Sequence, residues 1–109
     1  MTISSIHEAQ SWFEVLQTSE RSQTAVMILK PSGGHSSEEM NVHEKSDQVL
    51  LLVEGTLEAE VDGKKFSLVS GDTCIVPAGT PHRFENLGKS RAVTFNVYSP
   101  PEYPPGEKG

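Results

Sequence analysis

The residues best equipped for chemistry in this chain are two histidines, His43 and His82, each held in a segment whose spacing gives it direction. His82 lies in GDTCIVPAGTPHRFEN, where Gly71, Pro77, Gly79, His82 and Asn86 stand at the spacing G-x5-P-x-G-x2-H-x3-N. A turn at Ser70-Gly71-Asp72 leads into a short apolar strand, Thr73 to Val76; a Pro/Gly turn follows, and His82 opens the next strand. Pro77 and Pro81 stiffen the backbone that aims it. Phe84 follows on the same face, while Arg83 and Glu85 point away. His43 lies in NVHEKSDQVLLLVEG. Side chains of an extended chain alternate with period two, so Asn41 and His43 share one side. Gln48 opens the following strand on the face of Leu50 and Leu52, the expected inner face. An imidazole can hold a metal or carry a proton at neutral pH. No G-x-S-x-G elbow, phosphate-binding Gly-rich loop, dinucleotide fingerprint or C-x2-C pair competes with this pair.

These two segments resemble the paired signatures of the cupin superfamily. The Gly71–Asn86 segment matches the second signature at every fixed position. The first signature, of the form G-x5-H-x-H-x3,4-E-x6-G, is altered here: counting back from Gly55, Gln48 stands at the Glu position. Asn41 and His43 stand at the two His positions, and Gly34 lies one residue upstream of where the pattern expects a glycine. The resemblance covers about residues 24–98. It implies an all-β, double-stranded β-helix (jelly-roll) barrel and a divalent metal held by His43, His82, Gln48 and Asn41. Zn, Ni, Fe and Mn are the candidate ions. Two imidazoles and two neutral amide oxygens carry no charge to offset a dication, so affinity is expected below that of a three-His, one-Glu site. Four donors on a concave wall leave coordination positions open, as in catalytic rather than structural sites. Phe84, Leu50 and Leu52 are the expected substrate-facing residues. The implied activity is that of a metal-dependent dioxygenase, isomerase or lyase acting on a small molecule. The alternative is a non-catalytic barrel that binds a small ligand, favoured by loss of the anionic Glu.

Barrel closure is what must bring these residues together. Trp12 to Thr18 reads either as an extension of an N-terminal helix or, in preference, as a strand paired with Gln23 to Lys30, whose β-prone run is Thr24 to Lys30. Further strands are expected at Asp47 to Glu54, Thr56 to Val61, Lys64 to Val69, Thr73 to Val76, Pro81 to Leu87 and Arg91 to Tyr98. Asp62-Gly63 is a strong hairpin signal. Ser5-Ile6-His7-Glu8 resembles a capping box and predicts a short helix through Ser11. Gly55, Gly71 and Gly79 read as turn glycines, and Asn86 as a residue that hydrogen-bonds turn and backbone. His35 is expected in a surface loop, with reach to the pocket as a third imidazole. Glu38, Glu39, Glu44 and Asp47 read as a solvated acidic loop. Both faces of Asp47 to Glu54 are apolar, with Val49, Leu51 and Val53 outward. That outer face needs a cover, either the N-terminal segment or the second subunit of a homodimer.

Composition narrows the partners. At 109 residues with a formal net charge of −6, the chain fits one domain, residues 1–109, and shows no basic cluster for nucleic acid or anionic membrane. The start MTISSIHEAQ lacks the basic and apolar stretches of a secretory signal. A lone cysteine, Cys74, reads as a small buried apolar group and fits a cytoplasmic setting. The tail PPEYPPGEKG, residues 99–109 with Ser99, reads as an extended Pro-rich arm, strapped to the surface or frayed.

Overall fold

The Asp62-Gly63 hairpin forms as its residues dictate: both take positive φ, 52° and 77°, joining β5 (Thr56–Val61) to β6 (Lys64–Val69). The computed structural model describes residues 3–109. Met1 and Thr2, the start of the stretch read for a secretory signal, lie outside the described residues. The remaining strands are β1 (Phe13–Thr18), β2 (Gln23–Leu29), β3 (Gly34–His35), β4 (Asp47–Glu54), β7 (Thr73–Val76), β8 (His82–Asn86) and β9 (Ala92–Ser99). Each expected strand is present within about a residue at either end. β3 was not expected; it pairs with the end of β8 and makes His35 a strand residue.

Two antiparallel sheets face each other in the expected jelly-roll arrangement. One runs β1-β2-β9-β4-β7 and the other β3-β8-β5-β6. Alternation along each strand sends one set of side chains into a shared core, including Ala25, Leu29, Leu50, Leu52, Leu57, Leu68 and Phe84. Cys74 belongs to this core, as expected, and burial raises the pKa of its thiol. Gly55 takes φ 90°, and a Cβ there would lie 2.5 Å from the Arg91 carbonyl oxygen, so the β4–β5 corner admits only glycine.

The N-terminal helix is shorter than its sequence signal. A single 3-10 turn, Ile6–Glu8, forms, with Ser5 Oγ accepting from His7 N, and Ala9 returns to an extended conformation. None of its residues is buried, so no packed apolar face stabilises further turns. Ile6 and Ala9 instead flank Ile28, Val53 and Val93 along a cleft on the outside of the larger sheet. The outer face of β4 is only partly covered: Val49 and Val53 remain 39% and 38% exposed, and Ile75 beside them 61%.

The Pro-rich arm is a strap on its own barrel. Gln23, 1% exposed at the start of β2, holds it: its Oε1 accepts from Glu102 N and Tyr103 N, and its Nε2 donates to the Tyr103 carbonyl. Further on the arm runs antiparallel to β1. Val15 N donates to the Glu107 carbonyl at 2.8 Å and Gly109 N to the Phe13 carbonyl at 2.7 Å. Edge pairing and a side-chain clamp thus replace the helix or strand that a Pro-rich segment cannot form.

Candidate functional site

A cavity of about 220 Å³ opens between the sheets at the end where both histidine segments meet. Its polar wall is His43, His82, Gln48 and Asn41, with Ser36; its apolar walls are Trp12, Phe13, Met27, Phe84, Tyr98 and Tyr103. Glu107 and Gly109 of the arm close one side. The four polar residues expected to gather do gather. Phe84 lines the cavity as expected, but Leu50 and Leu52 do not. They are fully buried in the core, because each step of two residues along β4 moves a side chain about 6.7 Å away from the mouth.

Backbone contacts join the two histidine segments directly. Asn41 and His82 exchange hydrogen bonds, Asn41 N to the His82 carbonyl at 2.7 Å and His82 N to the Asn41 carbonyl at 2.9 Å. Gly79 N, in the Pro/Gly turn, donates to the His43 carbonyl at 2.7 Å, and Asp47 Oδ1 accepts from Ala78 N at 2.9 Å. The turn glycine therefore hangs the second segment on the first. The ring centroids of His43 and His82 stand 4.8 Å apart.

Each imidazole has one nitrogen facing a partner outside the cavity. His82 Nδ1 lies 2.9 Å from the Thr80 carbonyl oxygen. A carbonyl only accepts, so neutral His82 carries its proton on Nδ1 and keeps the lone pair on Nε2. His43 Nδ1 lies 3.3 Å from Glu102 Oε2 on the arm. Burial lowers the pKa of His82 from its ordinary 6.5; a charged His43 lowers it further, while the Thr80 carbonyl and Glu102 oppose the shift. The unfolded chain then takes up a proton that the folded chain resists. Stability from neutral His82 is complete above pH 6.5 and is lost as pH falls through the depressed folded value. The metal-free protein is expected to melt at lower temperature as pH drops below about 6.5, and His82→Gln to flatten that slope. Equal slopes in both proteins would exclude His82 as the source.

Gln48 is the most informative member of the polar wall. Its Nε2 donates to Asn96 Oδ1 at 2.9 Å, Asn96 Nδ2 donates to Thr94 Oγ1 at 3.0 Å, and Thr94 Oγ1 donates to the Met27 carbonyl at 2.9 Å. The Met27 carbonyl can only accept, which fixes the direction of every bond in the relay. Gln48 must therefore present its amide nitrogen to Asn96, and its Oε1 is left buried with no partner. Asn41 differs: it is exposed and its Oδ1 accepts from Val42 N at 3.0 Å.

The other candidates lie elsewhere. His35 sits outside the cavity, its Nε2 3.7 Å from Glu38 Oε1. Glu38, Glu39 and Glu44 are exposed, as expected, and Asp47 caps the Pro/Gly turn. Arg83 and Glu85 point away from the cavity and pair at 3.3 Å. Glu102 and the two tyrosines were not anticipated. Tyr98 and Tyr103 are hydrogen-bonded to each other, and burial raises both phenol pKa values, that of Tyr98 well above the ordinary 10.0.

The donor set can be tested against a metal ion. Two imidazoles bound to one ion at about 2.0–2.1 Å bring their rings within roughly 5 Å of each other, as His43 and His82 already are. The orphaned Gln48 oxygen supplies an acceptor that a cation or a ligand donor would satisfy. No three of His, Cys, Asp and Glu come together as a metal-holding group among the described residues. In donor chemistry the residues fit a divalent ion: two imidazoles close enough to share one, and an unpaired amide oxygen on a residue of the same wall.

Comparison with known proteins bears on the family and the fold. The sequence model of the family described as Cupin domain matches residues 25–98. Among curated proteins, quercetin 2,3-dioxygenase of Bacillus subtilis is 29% identical over 94 residues, covering 72% of this chain and 28% of its own. Polyketide synthase CurC of Streptomyces cyaneus is 35% identical over 73 residues, covering 67% of this chain and 46% of its own. The chain thus spans less than half the length of these two relatives. Among solved structures, BH2720 of Bacillus halodurans superposes with a TM-score of 0.85 at 21% identity, over 93% of this chain and 79% of the other. TT1209 of Thermus thermophilus does so with 0.80 at 27% identity, over 92% and 98%.

Proposed function

Because the chain belongs to the cupin family, we propose that its cavity is a small-molecule site organised around a divalent metal held by His43, His82 and Gln48 Oε1. The reaction proposed is of the dioxygenase, isomerase or lyase type. The observation that carries the reading is the Gln48 oxygen, left without a partner by the relay through Asn96, Thr94 and Met27, on a residue that lines the cavity. A buried acceptor without a partner costs about 1–3 kcal/mol, a cost that a bound ion or ligand donor removes.

When bound, a divalent ion would supply Lewis-acid polarisation of a carbonyl oxygen, or O₂ chemistry if it were iron. The chain's own residues do the rest. Phe84, Phe13 and Met27 form dry walls suited to an apolar or flat portion of a ligand. Tyr98 stays neutral and is held by Tyr103, so it positions rather than exchanges protons at neutral pH. His43 and His82 are the groups able to bind or carry a proton at the polar end.

A second reading has its own support. The relay on Gln48 is neutral throughout, and its free oxygen accepts a ligand hydroxyl or amide as readily as a cation. On this reading the barrel binds a small hydrogen-bond donor without turnover. Elemental analysis of untagged protein separates the two, repeated after reconstitution with Fe²⁺, Ni²⁺, Mn²⁺ or Zn²⁺. Near-stoichiometric metal, lost in His43→Ala and in His82→Ala, is the expected result. Protein that takes up none of the four ions leaves only the non-catalytic reading.

We also propose a second copy of this chain as the cover for Val49, Val53 and Ile75, since β7 beside them is a sheet edge with backbone free to pair. Light scattering is expected to give a dimer mass, and Ile75→Lys to shift it toward monomer. A monomer mass for the natural sequence at tens of micromolar would remove the proposal.

A further inference from the structure

The site built from the two histidine segments lacks an anion, because Gln48 stands where a carboxylate would supply one. A carboxylate nevertheless reaches the polar wall from a part of the chain outside both segments. Glu102, on the Pro-rich arm, places Oε2 3.3 Å from His43 Nδ1. His43 is buried and Glu102 about a quarter exposed, so the pair is screened less than a surface ion pair. The field of Glu102 also reaches His82 and Tyr98, in each case raising the pKa.

The position of Glu102 is not left to a mobile tail. Gln23 Oε1 accepts from Glu102 N at 3.2 Å and from Tyr103 N at 3.0 Å, while Gln23 Nε2 donates to the Tyr103 carbonyl at 2.7 Å. Gln23 Nε2 also donates to Thr18 Oγ1 at 3.0 Å, so the clamp is anchored across the β1–β2 turn. Its side chain can satisfy its whole hydrogen-bonding capacity only with the arm docked. A fully buried glutamine devoted to two consecutive backbone amides of the arm fixes the residue whose carboxylate faces His43.

We propose that Glu102 is a positioning residue of the cavity. It accepts the Nδ1 proton of His43, so that the lone pair stands on Nε2, and it supplies the negative charge that Gln48 withholds. The arm is then a third structural component of the site, beside the two histidine segments, and Gln23 is the residue that seats it. The part concerning charge rests on the metal reading above; the part concerning the tautomer does not.

The two imidazoles differ in a way that makes the test internal. His82 takes its tautomer from a backbone carbonyl, and His43 takes its tautomer from Glu102. Long-range ¹⁵N–¹H spectra of metal-free protein at pH 8 read each tautomer separately. The natural chain is expected to show Nδ1–H in both. Glu102→Ala should move His43 toward a mixture or toward Nε2–H, leaving His82 unchanged. Gln23→Ala should do the same with the carboxylate still present. Glu102→Gln should keep the tautomer through its amide oxygen yet weaken Zn²⁺ binding by calorimetry about 10–100-fold, as loss of such an outer partner does. An unchanged His43 tautomer in both Glu102→Ala and Gln23→Ala overturns the proposal. Zn²⁺ affinity in Glu102→Gln within about twofold of the natural chain overturns its charge component. If the natural chain takes up no Zn²⁺, the metal reading and the charge component fall together, and the tautomer arm alone decides the role of Glu102.

Discussion

Asn86→Ala is expected to lower the free energy of unfolding by about 3–5 kcal/mol, a large fraction of what holds a domain of this size. Asn86 is fully buried at the end of β8. Its Nδ2 donates to the Leu29 and Ser90 carbonyls, both at 2.9 Å, and its Oδ1 accepts from Gly88 N at 2.9 Å. One side chain therefore ties β8 to β2 and to the turn that leads into β9. Alanine removes three bonds and leaves a polar-lined void beside Leu29, so the loss exceeds that of a single hydrogen bond. Asn86→Asp separates chemistry from volume. It keeps the acceptor for Gly88 N but turns acceptor oxygens toward two carbonyls, and so is expected to be no better than alanine despite its matching shape. Urea titration checks both, and an alanine variant within about 1 kcal/mol of the natural chain would show that the backbone groups find other partners. The expected effect places Asn86 as a structural knot, which fits its sequence reading.

Gln48→Glu should have opposite effects on the empty and the metal-loaded protein. Without metal, a carboxylate at this position meets Asn96 Oδ1, an acceptor facing an acceptor. Turning the Asn96 amide over would mend that contact, but Thr94 would then have to give up the Met27 carbonyl. Either way a buried group is left unpaired, at a cost of about 2–4 kcal/mol. Once protonated, the introduced carboxyl could donate to Asn96 as the amide does, so the folded state raises its pKa. The sign follows: the variant is least impaired in acid, and its deficit grows as pH rises above about 4.3, the unfolded value. With metal, the same carboxylate becomes an anionic donor beside two imidazoles, and Zn²⁺ or Ni²⁺ affinity is expected to rise by about tenfold or more. Thermal melts with chelator and with excess metal measure both effects; the variant should start lower and gain more. A variant that loses stability without gaining affinity would mean the Gln48 oxygen does not serve a cation.

Much of the barrel was legible because its signals are local. Asp62-Gly63 writes its own turn, and the Gly71–Asn86 segment spaces a turn, a strand and a histidine within one short stretch. The gathering of Asn41, His43, Gln48 and His82 was legible through the resemblance, and alternation placed Phe84 beside them. Other features are set by tertiary contacts that leave little trace in local pattern. In β9 the inward positions are Ala92, Thr94, Asn96 and Tyr98, whereas Phe95 and Val97 face outward and are only partly covered. A polar pair inside and an apolar pair outside reverses the usual pattern, and Thr94 and Asn96 go inward because they orient Gln48. Glu102 was invisible for a different reason. The arm has no periodicity, and its carboxylate is brought to His43 by a glutamine and by edge pairing far from both in sequence. The helix expected through Ser11 stopped after one turn because a capping signal needs an apolar face behind it.

The arm along β1 also bears on how the chain behaves in a crowded solution. β1 ends the larger sheet, and a row of open backbone donors and acceptors there would invite strand addition from other chains. The pairing of Val15 and Phe13 with Glu107 and Gly109 blocks that row with the chain's own residues. The same segment that sets Glu102 beside His43 is therefore a guard against strand addition at the β1 edge. Any change that unseats it, at Gln23 or in the arm itself, is expected to cost solubility together with the order of the cavity, and the two losses should track each other across a series of variants.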